Sequence, residues 1–576
     1  MTLITRWGET VTADTVHPDY PRPQMVRADW QNLNGVWAYA ITPRTQATVP
    51  THFDGEILVP FPLESALSGV SKRITADQLL WYQRTLDLTW SDDERVLLHF
   101  GAVDWETTVW VNGVEVGQHR GGYDPFSFDV TDALSVSGQQ LIVVKVWDPT
   151  DQSYQPRGKQ VEDPKSIWYT PITGIWQTVW LERVPRRYIA NVTLTPDVDT
   201  HTLQVRAEVV GSDDRLTLRA QALDGRTCVA DVISDNHTTL TLSIPDPKLW
   251  SPATPFLYDL KVVLQHGDDP LDQVDSYFGM RKMAVANDAN GALRFTLNDE
   301  PIFNYGLLDQ GFWPDGLYTP PTDDALRYDI ELTKELGFNT IRKHVKVEPA
   351  RWYYWADKLG VLVWQDMPSG DQLMGRGEGE SVRTPESAQQ FQQEYQSMVR
   401  ALFNYPSIVM WVVFNEGWGQ FDTVKMTDFA ESLDSTRLIN SVSGWNDMNV
   451  GHMHDIHRYP GPDVPPESPG RALVLGEFGG LGLPVEGHMW VSDFWGYRAF
   501  DDQESLTEAY RELIEALRPM IAEQGLAAAI YTQTTDVETE ANGMVTYDRA
   551  VIKMDVATVR ELSESLYGLE TPVSKG

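Results

Sequence analysis

Two glutamates, Glu416 and Glu477, stand at the ends of strongly apolar runs. The first closes "IVMWVVFNE" and is followed by Gly-Trp-Gly; the second closes "ALVLGE" and is followed by Phe-Gly-Gly. A carboxylate at such a boundary is costly unless a counter-charge compensates it or the site keeps it there for proton chemistry. Two carboxyl groups facing one pocket are what cleavage of a glycosidic bond requires. One protonates the leaving oxygen, while the other, ionised, acts as nucleophile or base. Like charges in one pocket push each other's pKa values apart, which would divide the roles. The competing account makes either glutamate a buried structural partner of Arg342. It serves for one glutamate better than for two in equivalent positions.

A second cluster, "HMHDIH", holds His452, His454 and His457. Zinc needs three or four converging ligands. Because the carboxylate pair already accounts for a pocket, these histidines are read as polar strand residues that contact substrate, and neither a metal nor a cofactor is expected.

The elements that must carry these residues begin near residue 290, where short apolar strands alternate with helical stretches. "PIFNYGLL", "FNTIRKHV", "VLVWQDM", "SIVMWVVFNE", "RLINSVSGW", "VGHMHDIH", "ALVLGEFGG" and "AAAIYTQTT" read as strands. Segments such as "TDDALRYDIELTKELG" and "PESAQQFQQEYQSMVRALFN" read as helices, with Thr322 as an N-cap and Gly337 and Gly360 as stops. Eight βα-like units are expected over 286–576, a (β/α)8 barrel whose functional side chains sit at the C-terminal ends of its strands. The strand ends then supply Asp309, Arg342 and His344, Asp366, Asn415 and Glu416, Trp445, His457 and Tyr459, Glu477, and Gln533.

Upstream, residues 1–185 read as a β-sandwich, with Asn112-Gly113 as a hairpin turn. Residues 186–285 read as an immunoglobulin-like sandwich. Tryptophans in "SIWYTPITGIWQTVW" are expected to pack as sandwich core rather than to touch carbohydrate. A net charge of -36 argues against nucleic-acid and anionic-membrane partners. The one cysteine, Cys228, excludes an intramolecular disulfide. The N-terminal segment holds no apolar core of signal-peptide length and no stretch approaches membrane-span length, so a cytoplasmic protein is expected.

The motifs "LHFGAVDWETTVWVNGVEVGQHRGGYDPFSFDVT", "GIWQTVWLE", "LWSPATPFLYDL", "YFGMRKM", "DIELTKELGFNTIRKHVKVEPARWYYWADKLGVLVWQDMP" and "WVVFNEGWGQ" together resemble glycoside hydrolase family two, the β-galactosidase, β-glucuronidase and β-mannosidase group. That resemblance covers almost the whole chain. It implies a jelly-roll-like, sugar-binding N-terminal sandwich, and a retaining exo-β-glycosidase acting on carbohydrate through a covalent intermediate. It also implies Glu416 as acid/base, Glu477 as nucleophile, and Asn415 on the sugar 2-hydroxyl. Tyr459, or His457 in its place, would hydrogen-bond the nucleophile, and His344 and Asp366 would line the pocket. Asp309, Trp445 and Gln533 join the substrate-binding set from their strand ends. Association into a homo-oligomer is common in the family and stays open here. The family's Asn-x-Lys reader of uronate carboxylates lacks its lysine, since Asn542 is followed by Gly543 and Met544. A β-galactosidase-like activity is therefore expected first. A uronide, mannoside or arabinoside, or a non-catalytic carbohydrate-binding protein, stand as alternatives.

Overall fold

The computed structural model describes residues 3–135, 138–211, 215–234 and 238–570. Its C-terminal half is a barrel of eight parallel strands: β1 (Asn304–Asp309), β2 (Thr340–Lys343), β3 (Leu362–Asp366), β4 (Ile408–Asn415), β5 (Leu438–Ser443), β6 (Met453–Arg458), β7 (Ala472–Gly479) and β8 (Leu526–Thr532). Their order is β5-β4-β3-β2-β1-β8-β7-β6. Every residue of β4 is buried, as expected of a parallel strand covered on both faces.

Among the described residues, six helices surround the barrel rather than eight: α1 (Asp323–Glu335), α2 (Ala350–Leu359), α3 (Pro385–Leu402), α4 (Thr423–Leu433), α5 (Gln503–Gln524) and α6 (Val556–Glu564). The sequence correctly marks their ends. Thr322 Oγ1 accepts from Ala325 N–H at the start of α1, and Gly360 takes a left-handed φ of 76° after α2. The two missing helices are those after β5 and β6, where loops run instead. The first loop has left-handed backbone at Gly444, Asn446, Asn449 and Gly451. The second, "YPGPDVPPESPG", is too rich in proline to sustain a helix.

β5 and β6 share no ladder, so side chains close the seam between them. Asp455 on β6 accepts from Asn440 Nδ2 at 2.7 Å and Ser443 Oγ at 2.6 Å, both on β5, and from Gly476 N–H on β7 at 2.7 Å. Gly476 must be glycine for this approach, because a Cβ there would meet Asp455 Oδ1 at 2.3 Å.

The N-terminal end of the barrel is plugged by the hairpin Met283–Asn287/Leu293–Leu297. Phe295 and Leu297 pack in one buried cluster with Leu308, Trp364, Met410, Val474 and Ile530. Arg294 donates to Leu526 O at 2.9 Å, tying that hairpin to β8.

Ahead of the barrel lie two pairs of antiparallel sheets. A four-stranded and a six-stranded sheet lie within residues 30–185, and a three-stranded and a four-stranded sheet lie within 188–278. Asn112 and Gly113, both at positive φ, turn the hairpin between Glu106–Val111 and Val114–Arg120. The tryptophan-rich segment divides three ways, not one. Trp180 stacks on His99 within the sandwich, and Trp176 is buried against Tyr318 of the barrel. Trp168 leaves the sandwich to meet Trp418 at 4.9 Å between ring centres. The loop bearing Trp168 lies across the C-terminal end of the barrel. Arg157 N–H and Gly158 N–H donate to Ser369 O at 2.7 and 2.9 Å, and Thr170 N–H donates to Glu538 Oε1 at 2.9 Å. No described helix is long and apolar enough to cross a membrane.

Replacing Asp455 by Ala strips three buried donors of their acceptor, at about 1–3 kcal/mol each. A thermal-denaturation midpoint lowered by several degrees is expected, and an unchanged midpoint would show that the β5–β6 seam does not depend on it.

Candidate active site

At the open end of the barrel the fully buried Arg342 organises four strands. Its Nε and Nη2 grip Asp366 of β3 at 3.0 and 2.9 Å, and Nη2 also donates to Asn415 Oδ1 of β4 at 2.8 Å. Nη1 reaches Glu477 Oε1 and Gly476 O of β7, both at 3.2 Å. The ion-pair account of Glu477 and the catalytic one are thus not exclusive, since the same carboxylate is paired and faces the pocket.

Glu477 is held strongly ionised. Burial alone would raise its pKa, but His457 and Arg342 beside it, with the Tyr459 hydroxyl donating to Oε2 at 2.6 Å, bring it down to about 2. His344 lies 3.9 Å away. Burial, then the nearby Lys159 charge, drives that ring well below the usual histidine range, so it is neutral and donates Nδ1–H to Asp366 Oδ2 at 2.9 Å.

His457 links the two glutamates. Its Nδ1 shares a proton with Glu416 Oε1 at 2.7 Å and lies 3.4 Å from Glu477 Oε2. Ser443 spends its one hydroxyl proton on Asp455, so it accepts from His457 Nε2–H at 2.8 Å. Burial lowers the His457 pKa, yet Glu477, Glu416 and Asp455 outweigh it and leave the ring above its ordinary value.

Asn415 and Glu416 are adjacent, and an unbroken strand would point them to opposite faces. Glu416 instead takes a left-handed φ of 51°, which turns its carboxylate toward His457 while its N–H still bonds Ser443 O. A non-glycine residue in that region costs on the order of 1–2 kcal/mol, a strain typical of functional sites. One oxygen each of Glu416 and Glu477 and a ring nitrogen of His457 lie within 4.8 Å of one another. The trio could in principle hold an ion. Arg342 Nη1, 3.2 Å from Glu477 and 3.5 Å from His457, makes the place unfavourable for a divalent cation.

The other residues drawn from the strand ends separate into groups. Asp366, Asn415, His344, His457 and Tyr459 converge on the two glutamates. The Asn415 Nδ2 is buried with no protein partner. Tyr459 also meets Thr532 Oγ1 at 2.7 Å and stacks on Tyr497 at 3.7 Å. Trp445 is half-buried in the loop two residues beyond Ser443. Gln533 is sealed against Asn542, to which its Nε2 donates at 2.5 Å. Asp309 is not brought to the pocket. It pairs with Lys343 at 2.6 Å, which also meets Glu348 and lies over the Trp352 ring of α2, on the helix-facing side of the barrel. His452 and His454 do not converge with His457. His452 Nδ1 accepts from Ile439 N–H, and His454 bonds Pro466 O. Sequence reasoning offers Arg342 as an ion-pair partner of a glutamate but does not reach its hold on Asp366 and Asn415. It did not reach Trp168 or Lys159, which arrive from another domain.

Three family models match the chain: the sugar-binding domain of glycosyl hydrolases family 2 over residues 37–185, glycosyl hydrolases family 2 over 187–281, and the family's TIM barrel domain over 321–459. The chain belongs to glycosyl hydrolase family 2. Among its relatives, a β-galactosidase of Thermoanaerobacter pseudethanolicus is 26% identical, over 66% of this chain and 50% of that protein. A β-glucuronidase of Paenibacillus borealis is 25% identical, over 73% of this chain and 74% of that one. The family 2 chain spans only 43%, 34% and 50% of the first three curated relatives it matches. Its fold is that of a β-D-glucuronidase of Dictyoglomus thermophilum (TM-score 0.75, 18% identity, 96% of this chain and 100% of that one). It is equally that of a β-galacturonidase of Eisenbergiella tayi bound to galacturonate (TM-score 0.73, 20% identity, 96% and 99%).

Removing the Tyr459 hydroxyl should release Glu477 upward from its depressed pKa. For Tyr459→Phe, kcat on an aryl β-glycoside is expected to fall by about 10- to 100-fold, with the acid limb of kcat/KM displaced to higher pH and the circular dichroism unchanged. A limb displaced to lower pH would contradict the assignment.

Proposed function

We propose that this family 2 chain is a retaining exo-β-glycosidase that needs no cofactor, with its chemistry in the barrel unit, residues 286–576. The observation that carries the reading is that one oxygen of Glu416 and one of Glu477 lie within 4.8 Å of each other. Retaining enzymes hold their carboxyl groups about 5–5.5 Å apart, whereas inverting enzymes leave about 6.5–9.5 Å for a water. Glu477, ionised by its surroundings, attacks the anomeric carbon as Glu416 gives its proton to the departing oxygen. Glu416 then takes a proton from water, whose oxygen displaces Glu477 and restores the starting configuration. Arg342 and Tyr459 keep the nucleophile charged and aimed. The unpartnered Asn415 Nδ2 is a donor suited to a sugar hydroxyl.

The missing lysine after Asn542 favours a neutral sugar such as galactose. The matched relatives named above include both a β-galactosidase and β-uronidases, which keeps an acidic sugar as the second reading.

Glu477→Gly should lose activity on an aryl β-glycoside by at least about 10³-fold. Azide should restore turnover of an activated substrate and yield the α-glycosyl azide, the product of one inversion. Near-normal activity of Glu477→Gly, or a β-configured azide product from it, would refute the reading.

A further inference from the structure

Lys159 is a buried cation without a protein counter-charge. It is 5% exposed, and among the described residues its ammonium has neither an ion pair nor a hydrogen-bond acceptor. Its neighbours are ring faces: Tyr169 at 5.5 Å and Trp418 at 6.0 Å. Most other buried cations around the mouth do have partners. Arg342 holds Asp366 and Glu477, Lys343 holds Asp309 and Glu348, and Lys553 holds Asp536. Arg157, two residues before Lys159, is buried with Nε and Nη1 unpartnered, but its charged neighbours are Asp151 and Asp371 rather than the catalytic groups.

Several contacts fix Lys159 at the catalytic pocket. Gly158 has a left-handed φ of 61°, and a Cβ there would come within 2.5 Å of Val345 O, so the loop backbone presses directly on the residue after His344. The charge of Lys159 acts on His344, itself 3.9 Å from Glu477 Oε1. Trp418 stands two residues beyond Glu416. The loop is pinned by Ser369 just beyond β3 and by Glu538 just beyond β8. The ammonium is therefore brought from the sandwich to the mouth of the barrel, over Trp418, whose ring lies 6.4 Å from that of His344.

A sugar seated against Lys159 would take its ammonium out of water, which is unfavourable without an acceptor, and aromatic faces offset only part of that cost. A carboxylate on the bound sugar would offset the rest through a charge-assisted hydrogen bond.

We propose that Lys159 reads the carboxylate of a hexuronic acid, so that the preferred substrate of the glycosidase site is a terminal β-hexuronide. This rests on the glycosidase reading above and takes its second sugar class, the acidic one, over its first, because a cation at the mouth of the barrel outweighs the lysine missing after Asn542. In this arrangement the lysine absent after Asn542 is supplied by a different domain.

The test compares matched 4-nitrophenyl substrates: β-galactoside with β-galacturonide, and β-glucoside with β-glucuronide. For the native chain, kcat/KM is expected to favour one uronide over its neutral partner by about 10²-fold or more. In Lys159→Met that ratio should fall by about 10²-fold, and Lys159→Arg should keep part of it. As a readout independent of turnover, the Glu477→Gln protein should bind free galacturonate or glucuronate more tightly than galactose or glucose, and the double variant with Lys159→Met should not. A native preference for the neutral sugar, or a Lys159→Met variant that lowers both members of a pair by one factor, overturns the proposal. So does a Lys159-dependent preference for a 4-carboxyphenyl over a phenyl β-galactoside, which would place the anion on the leaving group. These outcomes leave the glycosidase reading standing. Activity surviving in Glu477→Gly would remove that reading instead.

Discussion

A guanidinium sealed inside the barrel is the constraint on which the site depends. Arg342 cannot lose its proton, and at 0% exposure it cannot be solvated. Its five N–H groups must therefore find acceptors, and they find them on β3, β4 and β7. Satisfying that one charge fixes where Asp366, Asn415 and Glu477 can stand. It also holds Glu477 in its ionised form. Position and protonation state of Glu477 thus follow from the same set of contacts.

The two glutamates are made unlike by what surrounds them. Glu477 faces Arg342, His457 and Tyr459, whereas Glu416 touches the shared ring of His457. That ring is in turn steadied by Ser443 and Asp455, the residues that close the β5–β6 seam. The place where the barrel lacks a backbone ladder is also where it supports Glu416. The left-handed turn at Glu416 completes the arrangement, because it lets Asn415 and Glu416 serve one pocket from adjacent positions. Above this sits a loop of the N-terminal sandwich, so the pocket is built jointly by two domains.

Much of this was legible in the chain. Apolar runs ending in "NE" and "GE" located both carboxylates, and the alternation of strand and helix patterns gave a barrel with the pocket at its C-terminal end. Thr322, Gly360 and Asn112-Gly113 carried their local geometry in their chemistry. Two connections escaped the βα pattern because prolines and left-handed backbone positions stop a helix without preventing parallel strands from pairing. Asp309 was drawn into the pocket list by a rule about strand ends. Residues at a strand end alternate between the barrel interior and the helices, and Asp309 faces the helices with Lys343.

What the sequence determined by itself was therefore local or periodic: which segments are strands, where each ends, and which side chains those ends could offer. Tertiary structure decided what no spacing encodes. Arg342 and Glu477 meet across 135 residues, and Tyr169 of the sandwich loop meets Glu540 across 371. Lys159 reaches the pocket from a separate domain in the same way. Such pairings arise from barrel closure and from the docking of one domain on another. Breaking one would leave a buried charge uncompensated, a cost that depends on where chains meet in space and not on their order.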